Sequence, residues 1–388
     1  MVEMNNKIKV LHVINSFNLG GAEVNLLNLL KAFPRDCYDL HVGYSFGGDF
    51  EADFRQLDIK LFKYNSKKAK VKSFQSLINI FMIAQYLLRN RIKIVHTHNF
   101  SAHVWGSVAA KLTGAKVIEH VHDFRYEEPH YLLANGRDPQ QFRLVRYFAK
   151  LSNRILVLTR NNHDFLIRHK MADEAKIRLQ LNGIPLAQPE MVDETQLRGK
   201  LGIADGKKII LTAARMSKEK NILMVLQTAR GLREKHGDVL FVIAGDGPEK
   251  EPIAQEIKNQ GLEGNVKLIG FYPNVRELLA AATVFMQPTL MELHSITMLE
   301  SLSMHTPTLV SKGVGCNDDF ISHGVNGFLL DPHDHREWVA ALDSLLNDPA
   351  KFESVAAAGR ALVEEKGDIN KTVQALDAVY EELSENYD

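Results

Sequence analysis

The sequence predicts an α/β protein built as two Rossmann-like, doubly wound domains facing a central cleft. Three observations carry that expectation. Short β-branched runs alternate with longer helical patterns along the whole chain, which is the signature of parallel sheets with crossover helices. The alternation restarts near the middle, after a stretch whose glycine and prolines break both periodicities. A length of 388 residues exceeds what one hydrophobic core usually supports, so two domains of somewhat under about 200 residues each are expected. Apolar residues make up 45% of the chain, enough to fill two cores.

Taken in order, the runs 8–14, 40–44, 94–97, 116–121 and 154–158 read as strands of the first domain. The linker is read in Leu181-Asn182-Gly183-Ile184-Pro185 and the polar stretch to Glu194. The runs 208–213, 239–244, 266–269, 284–287 and 308–311 then rebuild the pattern. The tail carries Val373, Leu376, Val379, Tyr380 and Leu383 at three-to-four-residue spacing, a helical stripe. The first domain is thus expected over 1–184 and the second over 185–367, with the tail helix, about 368–388, expected to pack back on the first. Ligands of doubly wound sheets sit at the carboxyl ends of the strands, so residues just after each strand are the candidates.

The 47 basic and 47 acidic side chains cancel, which argues against a nucleic-acid partner. Two cysteines, Cys37 and Cys316, are too few for a disulfide framework, and a reducing cytoplasm fits them. No export signal is expected, because the polar start runs straight into an apolar strand. The apolar stretch 77–88 is short of the roughly 20 residues that cross a bilayer. Lys63, Lys67, Lys68, Lys70 and Lys72 precede the apolar-rich helix expected over 76–88. Such a combination binds anionic lipid surfaces, against the alternative of a solvated loop before a buried helix.

The strongest local signal is Pro288-Thr289-Leu290-Met291-Glu292 leaving a strand, with Glu300 about one turn inside the helix that follows. A helix start offers unpaired amides and a positive dipole end, so the amides of Ser295 and Ile296 can hold a diphosphate. Glu300 can then accept from ribose hydroxyls and Glu292 can face a sugar; the alternative is two ordinary acids favoured near a helix start. Arg215 and Lys220 follow another strand, where two cations can bind a diphosphate and stabilise the charge it gains on leaving. Gly245-Asp246-Gly247-Pro248 closes the next strand, and Gly20-Gly21 follows the first, each permitting a tight turn and close backbone approach. Neither is the Gly-x-Gly-x-x-Gly dinucleotide fingerprint. His96, His98, His120 and His122 end two strands, alternating onto one face; hydrogen bonding to a polar ligand is weighed there against metal ligation and against structural roles. The chain contains no Asp-x-Asp, so cationic side chains would replace a metal at any diphosphate.

These residues, taken as an ordered series from about Ile8 to Leu346, resemble the retaining GT-B glycosyltransferases of family 4, the glycosyl transferases group 1. Gly20-Gly21-Ala22-Glu23 is similar to the family's glycine loop, His96-Thr97-His98 to its strand end, His122-Asp123 to its acceptor-side loop, and Asn182-Gly183-Ile184 to the segment ending its first domain. Arg215 and Lys220 fall at its diphosphate-binding cations, Gly245 through Glu249 at its turn, and Gly270-Phe271 at its base-contacting loop. Glu292 and Glu300 reproduce its Glu-x7-Glu spacing, and Gly324 through Leu329 a late turn. The pattern departs at Leu293-His294-Ser295, at 301–307 and at 313–319, which bears on the donor sugar.

The resemblance implies a metal-independent, cofactor-free transferase of hexosyltransferase type. It would move a sugar from a UDP- or GDP-linked donor to a glycan or lipid-linked acceptor, with retention, in bacterial polysaccharide or glycoconjugate synthesis. Its place would be the cytoplasm, peripheral on the inner face of the membrane. Glu292, Arg215, Lys220 and His122 would be catalytic. Gly20, Gly21, Gly245, Phe271, Ser295, Ile296 and Glu300 would hold the donor. A sugar-nucleotide epimerase of the same fold and a catalytically silent sugar-nucleotide-binding protein are the alternatives; an NAD-dependent dehydrogenase fits the folds but lacks the fingerprint.

Overall fold

The computed structural model describes residues 7–18, 20–65, 73–126, 139–186 and 193–385. The chain divides into two compact units, one of Met1–Gly183 with Ile369–Asp388 and one of Ile184–Asp368. In the first unit, β1 (Ile8–Val13), β2 (Tyr38–Tyr44), β3 (Lys60–Lys63), β4 (Ile94–Thr97), β5 (Lys116–His120), β6 (Arg154–Val157) and β7 (Ile177–Leu179) form one sheet. Its order is β3-β2-β1-β4-β5-β6-β7, with every pair parallel. Helices α1 (Gly21–Ala32), α2 (Glu51–Gln56), α3 (Phe74–Asn90), α4 (Phe100–Thr113), α5 (Pro139–Ala149) and α6 (Arg160–Arg168) belong to it.

The second unit repeats the plan. β8 (Lys208–Ala213), β9 (Val239–Ala244), β10 (Val266–Gly270), β11 (Val284–Gln287), β12 (Thr308–Ser311) and β13 (Phe328–Leu330) pair in the order β10-β9-β8-β11-β12-β13, again all parallel. Around them run α7 (Glu194–Leu201), α8 (Ile222–Leu232), α9 (Lys250–Asn259), α10 (Val275–Ala281), α11 (Ile296–Ser303), α12 (Asn317–Phe320), α13 (His335–Asn347) and α14 (Pro349–Lys366), before α15 (Ile369–Glu385) returns to the first unit. Both orders reverse direction once, between β1 and β4 and between β8 and β11. At such a switch point the loops diverge and leave a crevice beyond the strands' carboxyl ends.

Central strands such as β4, β9 and β12 are buried along their whole length, so they read as unbroken apolar runs, as parallel strands covered on both faces must. β3, β7 and β13 escape a reading of the sequence. They are strands of three or four residues at the sheets' edges with mixed exposure, too short to show a period. The stretch expected as a linker is anchored where it is described: Ile184 is buried and its amide donates to the Gly367 carbonyl at 2.9 Å. Residues 187–192 of that stretch, and Lys67, Lys68, Lys70 and Lys72, lie outside the described residues.

The tail helix α15 lays its whole stripe, Ile369, Val373, Leu376, Val379, Tyr380 and Leu383, into the first unit's core beside Leu26, Leu30 and Ile94. Leu376 is fully buried there. Leu376→Ala is expected to cost about 3 kcal/mol from lost burial plus the cavity left behind, read as a lower denaturant midpoint for the first unit; an unchanged midpoint would show that α15 is not part of that core.

Candidate active site

In the second unit, the segments that leave β8 and β11 meet at the switch point. The backbone of the β11 loop is fastened to the β8 loop by two bonds onto one carbonyl: Leu290 N–H donates to Glu219 O at 2.8 Å and Thr289 Oγ1 donates to it at 2.9 Å. Beyond that fastening the Lys220 ammonium reaches Glu292 Oε2 at 2.8 Å, both side chains about one-fifth exposed. An ammonium carries three donors, so two N–H remain for an incoming acceptor. Glu292 also takes the Leu293 amide on its other oxygen at 3.1 Å. Arg215 is exposed, and its guanidinium makes no hydrogen bond or ion pair among the described residues, which leaves its planar fork available to an oxyanion. Of the site residues expected from sequence, Lys220 and Glu292 are thus brought into direct contact.

Ser295 is the N-cap of α11. Its hydroxyl accepts from the Met298 amide at 3.1 Å and from Gln287 Nε2 at 2.9 Å. The first-turn amides that follow, Ile296 among them, have no carbonyl within the helix to bond. One turn on, Glu300 receives Arg276 Nε at 3.2 Å. Burial pushes the Glu300 carboxyl above its usual range, opposed by the Arg276 charge. Arg276 sits in the first turn of α10, just past the loop that carries Phe271, whose ring is half exposed at 54%. Gly245 borders the same loop, its amide donating to Gly270 O at 2.7 Å. At φ +140° a Cβ on Gly245 would lie 1.9 Å from the Ala214 carbonyl oxygen, so this turn requires glycine.

In the first unit, Gly20 is the extended N-cap of α1, and Gly21 opens the helix with no atom within 4 Å of the place a Cβ would take. His122 belongs to a stack of five imidazoles carried by β1, β4, β5 and the residues just after them. His12 Nδ1 and His98 Nε2 lie 2.9 Å apart, His98 Nδ1 and His122 Nε2 3.3 Å. His96 bridges His120 at 3.3 Å and the Tyr380 hydroxyl at 2.6 Å. Burial, with His120 nearby, holds His12 down at about 3; burial, with Arg125 nearby, does the same to His122. His96, His98 and His120 are also held well below their ordinary value, burial first and the neighbouring imidazoles after it.

One nitrogen each of His98, His120 and His122 falls within 4.8 Å of the others, close enough to share an ion. The rings of His98 and His122, however, stack at 17°, and those two residues already share a proton between facing nitrogens. The neutral rings form two short hydrogen-bonded series, His12–His98–His122 and Tyr380–His96–His120, while the second ring nitrogens of His12 and His120 are buried without a hydrogen-bond partner among the described residues.

Comparison with known proteins places the chain. The family described as "Glycosyl transferases group 1" matches residues 193–362, and "Glycosyltransferase Family 4" matches residues 19–188. The chain belongs to the family 4 glycosyltransferases. A UDP-Gal:alpha-D-GlcNAc-diphosphoundecaprenol alpha-1,3-galactosyltransferase of Escherichia coli is 23% identical over 359 residues, covering 90% of each chain. An alpha-monoglucosyldiacylglycerol synthase of Streptococcus pneumoniae is 29% identical over 262 residues, covering 65% of this chain and 57% of that one. Among solved structures, Anabaena HepE in complex with UDP-glucose superposes with a TM-score of 0.83 at 20% identity, covering 96% of this chain and 99% of that one. The fold is GT-B.

Within this glycosyltransferase, sequence reasoning missed Arg276, His12 and Tyr380. Arg276 carries no motif of its own; only its place at a helix start after β10 could have marked it. His12 is a lone histidine inside an apolar strand, and Tyr380 comes from the other end of the chain. The histidine stack makes acid lability a property of the first unit. Each folded-state imidazole titrates below its unfolded value near 6.5, so below that pH the unfolded chain binds protons the fold refuses. Stability is flat above about pH 7 and falls by up to about 1.4 kcal/mol per pH unit per histidine as pH drops toward 3. Denaturant midpoints measured from pH 8 to 4 check this, and a midpoint unchanged from pH 7 to 5 would refute it.

Proposed function

We propose that this glycosyltransferase moves a hexosyl group from a UDP- or GDP-linked sugar to a glycan or lipid-linked acceptor, keeping the anomeric configuration and using no metal ion. The setting is bacterial polysaccharide or glycoconjugate synthesis. The observation that carries the reading is the contact of Lys220 with Glu292 at the second unit's switch point, with the exposed Arg215 on the same loop after β8. As the bond from the anomeric carbon to the diphosphate breaks, negative charge grows on the leaving oxygen, and fixed cations there lower the barrier. Arg215 and Lys220 take that role, with the Ser295 and Ile296 amides at the start of α11 assisting. Glu292 orients the sugar hydroxyls and, through its bond to Lys220, sets the ammonium's position. Glu300 and Arg276 hold the ribose, Phe271 meets the base, and Gly245 keeps the turn beside them narrow. From the first unit, Gly20 and Gly21 offer backbone to the phosphates, and His122, neutral at physiological pH, can donate to or accept from a sugar or acceptor hydroxyl.

The names of the relatives support the substrate class: one acts on a diphosphoundecaprenol-linked sugar and one is a glycolipid synthase. Metal independence rests on the absence of Asp-x-Asp from the sequence and on cations standing where an ion would otherwise balance the diphosphate. We place the reaction in the cytoplasm, on the inner face of a membrane, in peripheral contact with anionic lipid. Cys37 and Cys316 are free thiols, as suits a reducing compartment, and no helix among the described residues is long and apolar enough to cross a bilayer.

The donor is identified by a thermal-shift screen against UDP-, GDP- and ADP-sugars, since a ligand bound only by the folded state raises its stability. With that donor, Lys220→Ala and Arg215→Ala are each expected to cut turnover about 100-fold or more. Chelator should leave turnover intact, and the anomeric coupling in the product's proton spectrum should match the donor's. Near-normal turnover in both variants would remove the two cations from the mechanism, and an inverted product would remove retention.

A further inference from the structure

Helix α3 is apolar on two faces: Ile83 and Leu87 enter the first unit's core, and a second apolar stripe faces outward. Its buried positions include Ser76 and Asn79, and both side-chain polar atoms of Asn79 are buried without a hydrogen-bond partner among the described residues. Its exposed positions are Phe74 at 77%, Leu77 at 62%, Phe81 at 64% and Leu88 at 64%, with Ile78 beside them. Spaced three, four and seven residues apart, these side chains form one stripe. An apolar stripe left in water forfeits the burial that drives folding, and a contiguous exposed apolar patch marks an interaction surface.

The charge around the stripe says what covers it. Between Asp58 and Glu119 the sequence holds eleven lysines and arginines and no aspartate or glutamate, although the whole chain is neutral. Arg89 and Arg91 stand at the end of α3 beside Leu88, and both are exposed. A second copy of this surface would bring like charges together. A bilayer with anionic headgroups offers acyl chains to the stripe and negative charge to its flanks, the pattern of helices that lie in the membrane interface.

We infer that the α3 face is a membrane-docking surface that inserts Phe74, Leu77 and Phe81 into a leaflet rich in anionic lipid. The inference extends the reading of a membrane-side acceptor and rests on it for its purpose, but its test is independent of turnover. The full chain is floated with vesicles of phosphatidylglycerol and phosphatidylcholine, or of phosphatidylcholine alone, at low and high salt. The wild type is expected on the phosphatidylglycerol vesicles at low salt and to be released by salt, which screens the basic flank. Combined Phe74→Ser, Leu77→Ser and Phe81→Ser is expected to weaken vesicle binding about tenfold or more at an unchanged melting temperature, because all three side chains are already exposed. Donor turnover measured with a water-soluble acceptor is expected to stay at the wild-type level, so that the docking surface and the transfer reaction can fail separately. Equal binding to both vesicle types would overturn the inference, as would a triple variant that binds like the wild type. A wild-type dimer that the same substitutions dissociate would assign the face to a second copy of the chain instead.

Discussion

The second unit's site depends on how briefly β8 and β11 run together. They share register only at Val284 with Ile210 and Phe285 with Leu211, after which the switch in strand order sends their loops apart. Left alone, diverging loops would hold no fixed geometry. Here the Glu219 carbonyl catches both the Leu290 amide and the Thr289 hydroxyl, and below it Thr212 Oγ1 donates to the Met286 carbonyl at 2.8 Å. These neutral bonds set the distance across which Lys220 meets Glu292. The ion pair is a consequence of that backbone fastening: a partly exposed pair contributes little stability by itself, so its value lies in holding an ammonium and a carboxylate in one place.

The first unit solves a different problem. Five imidazoles packed together, four of them buried, would repel if charged, and burial alone already disfavours the charged form. Kept neutral, they hydrogen-bond in two short series, one of which runs from His120 through His96 to the Tyr380 hydroxyl on α15. The returning helix therefore does more than cover apolar surface, since it supplies a polar partner without which His96 would lose a hydrogen bond inside the core. Arg125 plays a comparable part next door. It holds Asp123 through two bonds of 2.7 Å and Glu119 at 3.1 Å, which fixes the loop that carries His122.

The two sheets were legible because central parallel strands are apolar along their whole length, as at 239–244. The edge strands were not, because a strand such as Lys60–Lys63 with two exposed ends has no period that separates it from a loop. Within the site, Lys220 and Glu292 stood out through the order of motifs around them. Their contact did not, since nothing in residues 72 positions apart says that two loops share a carbonyl. Arg276 stayed hidden for a related reason: its meaning comes from Glu300, a partner in a later helix. The lysine-rich approach to α3 was visible in the sequence, whereas which face of that helix is buried could only come from packing.

Three places where the chain departs from its family's pattern include two that turn out to be linked in space. Leu293, His294 and Ser295 are all buried, so their bulk is taken up inside the unit. The His294 ring lies 5.5 Å from Phe320, just past the unusual 313–319 loop. The Cys316 amide from that loop donates to the Leu293 carbonyl at 2.8 Å. Gly315, at φ +59°, comes so near that a Cβ would sit 2.5 Å from the Glu292 carbonyl oxygen. Any larger residue at 315 would push directly on the backbone of Glu292. Residues 293–295 and the 313–319 loop are therefore packed as one piece, so that a change of bulk in either bears on the other. What they set together is the seat of Glu292, the carboxylate assigned to the donor sugar.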